Sequence, residues 1–356
     1  MISLDRIKET ISRGQPVMDL SMDGMALEGE ALNNGVFQNV RFDGASLKNA
    51  DFNKSVFNEC SFPGCDFEGC NLGNTGFIGC DLNHMQITGA SMENTSFTKC
   101  TLLSSSWVNQ AGKKLFFIES DFTESRFEAA SFDTAAVLKS EFRGAGIHGC
   151  TFFNLSWTDT DFTSMVLEKS VFTQALLLNC NFSGHDFTGG KLTHCTFQGS
   201  DFTGATLTGA DISGSNFSNT RLARTAMENV KGNMTLFVDA TISDSRFTGA
   251  DLSQSNFQGA VITGTDFSGC LMEKAWLKKA AVKESCFREA GLDYANFSYA
   301  DLDTNDFSRS ALNHADFHMA RMKENAMDGA AAALIKPTDP ARAEIEKRAL
   351  ELEVIT

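Results

Sequence analysis

Large apolar residues recur at every fifth position along most of this chain. From Phe37 to Phe77 the recurrence is unbroken: Phe37, Phe42, Leu47, Phe52, Phe57, Phe62, Phe67, Leu72 and Phe77. Carried outward, every fifth position from Met22 to Met327 gives 62 sites, of which 60 are apolar and only Gly112 and Gly232 are not. Of the 31 phenylalanines, all but Phe116 and Phe153 fall in this one register. An amphipathic helix or a half-buried strand would space its apolar residues by 3.6 or 2, so the pattern predicts neither.

The positions around each apolar centre are patterned too. Two before it stands a small residue in most repeats, as at Ala45, Ala50, Ser55, Cys60 and Cys65, and the two after it are polar or Gly. One before it Asp, Asn, Ser or Thr is frequent. Blocks such as Ala50-Asp51-Phe52-Asn53-Lys54, Ala210-Asp211-Ile212-Ser213-Gly214 and Ala300-Asp301-Leu302-Asp303-Thr304 resemble the pentapeptide-repeat family over residues 22–329. The resemblance implies an all-β solenoid, a right-handed quadrilateral β-helix of roughly 15 coils with one pentapeptide per face. The residue pattern agrees with that geometry, because a large inward side chain alternating with a small one fills a narrow tube.

Both ends depart from the repeat. Residues 1–16 predict a capping helix, with Leu4, Ile7 and Ile11 on one face, Ser3 as its cap, and Gly14 and Pro16 ending it. Residues 17–329 carry the repeats. Residues 330–356 predict a helical tail from about Pro340 to Glu353, whose Ile345, Ala349 and Leu352 form a narrow apolar stripe. That helix either caps the last coil or pairs two chains into a homodimer, as in some pentapeptide-repeat proteins. Inside the array, the segments at Gly112 and Gly232 lose the apolar centre, so each predicts a bulge or short loop. The residues after the two glycines align, which points either to duplication of a six-coil unit or to one local structural need met at both sites.

With four pentapeptides per coil, outward residues sort by face. One face is unlike the other three: it collects Val56, Ile78, Phe116, Ile118, Leu138, Leu176, Leu178, Leu236, Val238 and Trp276, with Tyr299 one coil beyond. An apolar stripe on an otherwise polar surface marks a contact surface, so these residues are the expected partner-binding site. Another face shows Asp81, Asp121, Asp161 and Asp201, whose place before the centre suits hydrogen bonding within the turn. Lys274, Trp276, Lys278, Lys279, Lys283 and Arg288 form the one basic and aromatic cluster.

A net charge of −15 disfavours direct nucleic-acid binding, which needs a clustered basic surface. Nine of the ten cysteines occupy the small inward position, where they interchange with Ala, Ser and Thr, and Cys286 is the exception. Buried thiols act as small hydrophobes, and reduced thiols fit the cytoplasm; no signal peptide or membrane span is evident, so any export would use a signal-independent route. The six histidines are dispersed, there is no nucleophile elbow or phosphate loop, and a filled solenoid offers no pocket. The reading is therefore no enzyme, no cofactor and no metal, but a bacterial protein-interaction scaffold or adaptor. The N-terminal helix, Gly, and Leu- and Met-centred repeats look like those of type VI secretion-associated pentapeptide-repeat proteins, which implies secretion-system or effector partners. The alternative is a DNA-mimicking, gyrase-binding protein of the quinolone-resistance type.

Overall fold

Two residues past most apolar centres the backbone takes a left-handed conformation, for example Asn34 at φ 59°, Asn39 at φ 50° and Gly44 at φ 68°. Gly and Asn tolerate that conformation best. The next residue closes the corner, as Ala45 N–H donates to Phe42 C=O at 2.9 Å and Ala50 N–H to Leu47 C=O at 2.9 Å. The residue before the centre holds the same turn through its side chain: the Asp51 and Asp121 carboxylates accept from Asn53 N–H at 3.0 Å and Thr123 N–H at 2.9 Å. Each pentapeptide thus makes one side and one corner.

Successive coils then run parallel. Phe42 N–H donates to Ser61 C=O at 2.8 Å, and Ser61 N–H to Val40 C=O at 3.1 Å. Phe37 pairs with Phe57 and Phe57 with Phe77, so like stacks on like inside the tube. The Phe37–Phe57, Phe57–Phe77 and Phe77–Phe97 rings lie 4.8, 5.0 and 5.0 Å apart, close to the spacing of paired strands. The small inward positions interchange Ser, Thr and Cys for a related reason: each can donate to the carbonyl of a centre one coil back, as Ser55 Oγ does to Leu32 at 3.0 Å, Cys65 Sγ to Phe42 at 3.2 Å and Thr75 Oγ1 to Phe52 at 2.7 Å.

The computed structural model describes residues 3–353, the last four of them by backbone alone. It is a β-solenoid of about 15 turns with a short helix at each end, in two units, Met1–Cys180 and Asn181–Thr356. In the first unit a parallel sheet runs along one side through Val36–Gln38, Val56–Asn58, Gly76–Ile78, Ser96–Thr98, Ala111–Ile118 and Ser131–Leu138. Helix α1, Leu4–Ser12, is capped by Ser3, buries Ile7 and ties Lys8 to Glu30. In the second unit a parallel sheet joins strands from Arg221–Ala223 to Arg321–Lys323, and bridges continue to Lys336 on Asp316. Helix α2, Pro340–Glu353, turns Arg342 and Glu346 toward Asp316, Tyr299 and His318, while Ile345 is 68% exposed. Leu352 lies outside the residues whose side chains are described.

Neither glycine break is a bulge or loop. Gly112 sits within the strand Ala111–Ile118, in register opposite Phe132. Its missing side chain is replaced from the small position, since a Cβ there would lie 2.5 Å from Leu115 Cδ1. Gln110 plugs the same region by bonding both Ala90 N–H at 3.0 Å and Ala90 C=O at 2.8 Å. At Gly232 the ladder is also intact, with Gly232 N–H on Asp251 C=O at 2.7 Å. Leu252 and Ile212 close over the space, 3.0 and 3.4 Å from where a Cβ would stand.

Candidate functional site: an apolar sheet face and a parted coil

In the first unit, side chains on either side of each sheet centre point outward. Among the described residues there, nine large apolar side chains are exposed, and seven of them, Met18, Val36, Val56, Ile78, Phe116, Leu138 and Leu176, flank centres on this one face. The concentration is therefore a property of the face, beyond the scatter that any surface carries. Register brings some of them together. Ile78, Thr98, Ile118 and Leu138 succeed one another in a column, with Ile118 half-buried. Phe116 stands opposite Ala136 beside them, whereas Val56 is set apart by Gly76. Leu178 is half-buried, and Leu176 bridges Ser156. Met18 and Val36 escaped the sequence reading, although their flanking positions mark them equally.

The second unit does not continue this pattern. Leu236 and Trp276 are exposed but separated by Asn256, and Val238 is half-buried. Val261 and Leu271, on other sides of their coils, are more exposed than either. Tyr299 occupies a turn at φ 61°, donates its hydroxyl to Glu346 of α2 and packs edge-on against His318, so helix α2 occupies it. The basic cluster is largely paired: Lys274 with Glu273, Lys283 with Glu284, Arg288 with Asp306, and Lys278 over the Tyr299 ring.

One corner of the first unit opens into a cleft of about 950 Å³, lined by Ile118 and Leu138 from the apolar face and by residues between Lys139 and Ser164. This overturns the expectation that a filled solenoid has no pocket. Its cause is Trp157, whose indole lies 4.6 Å from Phe142 and 4.8 Å from Phe162, between rings that would otherwise stack. One coil earlier Phe122 and Phe142 stack directly at 4.7 Å. The wedge therefore parts two coils by roughly one extra strand spacing. Around it the ladder fails: Ala136 and Val137 still pair with Ser156 and Trp157, and Gly146 with Val166. Between them the one backbone bond among the described residues is Gly144 N–H to Ser164 C=O at 3.1 Å, one residue out of step with the corresponding Glu124-to-Arg143 bond at 2.8 Å. Trp157 Nε1–H is buried without a partner.

Elsewhere the polar chemistry is structural. All ten cysteines are reduced thiols, and nine are buried. Burial pushes the Cys65, Cys70 and Cys270 thiols up to about 12 and those of Cys150 and Cys180 up to about 11, which keeps them protonated and poor nucleophiles. Among the described residues no group of three or more His, Cys, Asp or Glu side chains is placed to hold a metal ion, and no helix is long and apolar enough to cross a membrane. The stacked aspartates serve their own turns: Asp81, Asp161 and Asp201 accept from Asn83, Thr163 and Thr203 N–H at 3.1, 3.0 and 2.8 Å.

Two family models match the chain: the pentapeptide repeat region model at residues 30–107 and 200–277, and the model of eight pentapeptide repeats at 158–193 and 285–323. Among curated protein sequences none matches. Solved structures similar to it include HetL, a pentapeptide repeat protein involved in heterocyst differentiation regulation from the cyanobacterium Nostoc sp. strain PCC 7120, at 15% identity and TM-score 0.26, over 72% of this chain and 91% of that one. Full-length QnrB1, a plasmid-mediated fluoroquinolone resistance protein, is 18% identical with a TM-score of 0.19, over 69% of this chain and 92% of its own. A pentapeptide repeat protein from the Arabidopsis thaliana thylakoid lumen is 24% identical with a TM-score of 0.23, over 28% and 66%. The two family models together span more than half of the residues, in the register that builds the stacked core, and the chain belongs to the pentapeptide-repeat family.

Proposed function

We propose that this protein is a non-enzymatic interaction scaffold that docks a protein partner on the apolar sheet face of its first unit. The observation that carries this reading is the column Ile78, Thr98, Ile118 and Leu138 with Phe116 beside it, an apolar patch held on a rigid ladder. A flat sheet face of this kind has little side-chain entropy to lose on binding, so apolar contact area converts more fully into affinity. The finer role of secretion adaptor is supported by the N-terminal layout alone. DNA mimicry is supported by the net charge of −15, but the aspartates that would imitate phosphates already serve as turn acceptors.

The test is affinity purification from the native host, repeated with Ile78→Asp and Phe116→Asp together. Both side chains are exposed and outside the core, so the variant is expected to fold with unchanged melting behaviour and to lose its partner. Secretion-apparatus or effector proteins lost in the variant support the adaptor role. Gyrase or topoisomerase IV subunits retained by the variant overturn it in favour of mimicry.

A further inference from the structure

The parted corner leaves facing rows of backbone groups without partners. One coil earlier, Glu119 N–H donates to Leu138 C=O at 2.8 Å, Glu141 N–H to Ser120 C=O at 2.9 Å and Phe122 N–H to Glu141 C=O at 2.7 Å. The equivalent bonds across the cleft would run from Lys139 to Thr158, from Asp161 to Ser140 and from Phe142 to Asp161. Among the described residues none of the three is made. One lip thus offers the Lys139 and Phe142 N–H groups and the Ser140 carbonyl, and the other the Asp161 N–H and the Asp161 carbonyl. Unpaired backbone groups at a sheet edge template strand pairing. The Trp157 ring holds these lips apart by about one strand layer, the width that a single extended chain fills.

The lining also has a chemical bias. Glu119, Glu141, Asp159 and Asp161 outnumber Lys139 and Arg143, and of these six only Glu119 is in an ion pair among the described residues, with Lys99 at 3.8 Å. Ile118 and Leu138 supply an apolar rim. Phe142 lines the inner wall and is itself buried, so a side chain facing it enters the tube where the fold elsewhere places small residues such as Ser120 and Ala145.

We infer that the cleft is a strand-receiving site for an extended segment of a partner protein, about four residues long at the ladder itself. That segment carries a small residue toward Phe142 and a Lys or Arg toward Asp159 and Asp161, and completes the interrupted ladder by β-augmentation. The inference rests on the reading of the protein as a scaffold and names how part of the partner is held. It is separable from the apolar face, because the ladder groups lie in the corner and Ile78 and Phe116 do not line it.

The probe is a phage-displayed library of random peptides, panned against the full chain. Enriched peptides are expected to combine small and basic residues, to protect the Lys139, Phe142 and Asp161 amides from hydrogen exchange when bound, and to lose about tenfold in affinity to the Asp159→Lys, Asp161→Lys variant. The Ile78→Asp, Phe116→Asp variant is expected to bind them unchanged, so failure here and failure of the apolar dock give different results. Absence of enrichment over a Trp157→Phe chain overturns the inference, and so does binding that leaves those three amides unprotected. Should Trp157→Phe fold poorly, the charge-reversed variant, altered only at the surface, serves as the control chain.

Discussion

Trp107 and Trp157 stand at the same kind of position in the same unit, and only the second parts its coils. Trp107 stays in its own layer, stacked on Phe127 at 5.5 Å with edge contacts to Phe97 and Phe117, and its Nε1–H donates to Ser105 Oγ at 2.9 Å. The position two before Trp157 is Leu155, buried and without an acceptor. There the indole is crowded by a large neighbour and has no bond to hold it flat, so it slides between Phe142 and Phe162. A large residue in the small position is not enough by itself. Leu115 is also large, but its neighbouring centre is Gly112, and the two volumes compensate. What the fold reads is the summed volume of small and central positions, plus an acceptor for any indole.

The largest expected contrast comes from truncation. Trp107→Ala should cost about 3–5 kcal/mol, because the layers around it are closed and cannot collapse into the void. Trp157→Ala should cost roughly 2 kcal/mol or less, because the parted coil can close as the wedge leaves. Urea unfolding midpoints of the two variants measure the difference, and equal losses would remove the wedge account.

Next in size is conversion of one site into the other. Ser105→Leu strips Trp107 of its acceptor and crowds it, leaving a buried N–H unpaired at a cost of about 1–3 kcal/mol. The coil should part as at Trp157, and amide exchange at Ser106 and Asn109, now in the ladder, should accelerate together. Exchange that stays slow there, with only a lower midpoint, would mean that the indole accepts crowding without moving.

Gly112 offers the compensated case. Gly112→Leu overpacks against Leu115 and should cost about 1–3 kcal/mol. Adding Leu115→Ala, which restores the ordinary large and small order, should recover most of that loss. A double-mutant cycle should show a favourable coupling of about 0.5–3 kcal/mol, and simple additivity would deny that the two positions share one volume.

These cases show where sequence reading reached and where it stopped. The apolar frame at every fifth residue specifies coil, core and stacking, because a solenoid's tertiary contacts repeat its local pattern. The exposed face was legible for the same reason: flanking positions such as Ile78 and Leu138 point outward wherever the centre points in. Gly112 misled because its replacement, Leu115, comes from a position that normally holds a small residue. The cleft was missed because Trp157 fills its site in the frame correctly. Its signal was the pair Leu155 and Trp157 set against Ser105 and Trp107, a comparison of neighbours that a count of apolar centres does not make. Tyr299 was misplaced because helix α2, whose packing carries no repeat, folds back onto it.

Trp157→Phe should have the smallest effect on stability and the clearest effect on structure. The smaller ring gives up some apolar burial, but the change also removes a buried N–H that has no partner. These terms oppose each other, so the unfolding midpoint should rise slightly, by no more than about 1 kcal/mol in stability. With a phenyl ring able to lie in its own layer, Phe142 and Phe162 can approach, and the Phe142 and Asp161 amides should become as slow to exchange as Phe122 and Glu141 one coil earlier. Hydrogen exchange followed by mass spectrometry resolves this. If the corner stays fast in Trp157→Phe, Leu155 alone holds the coils apart, and the wedge must be reassigned to the small position.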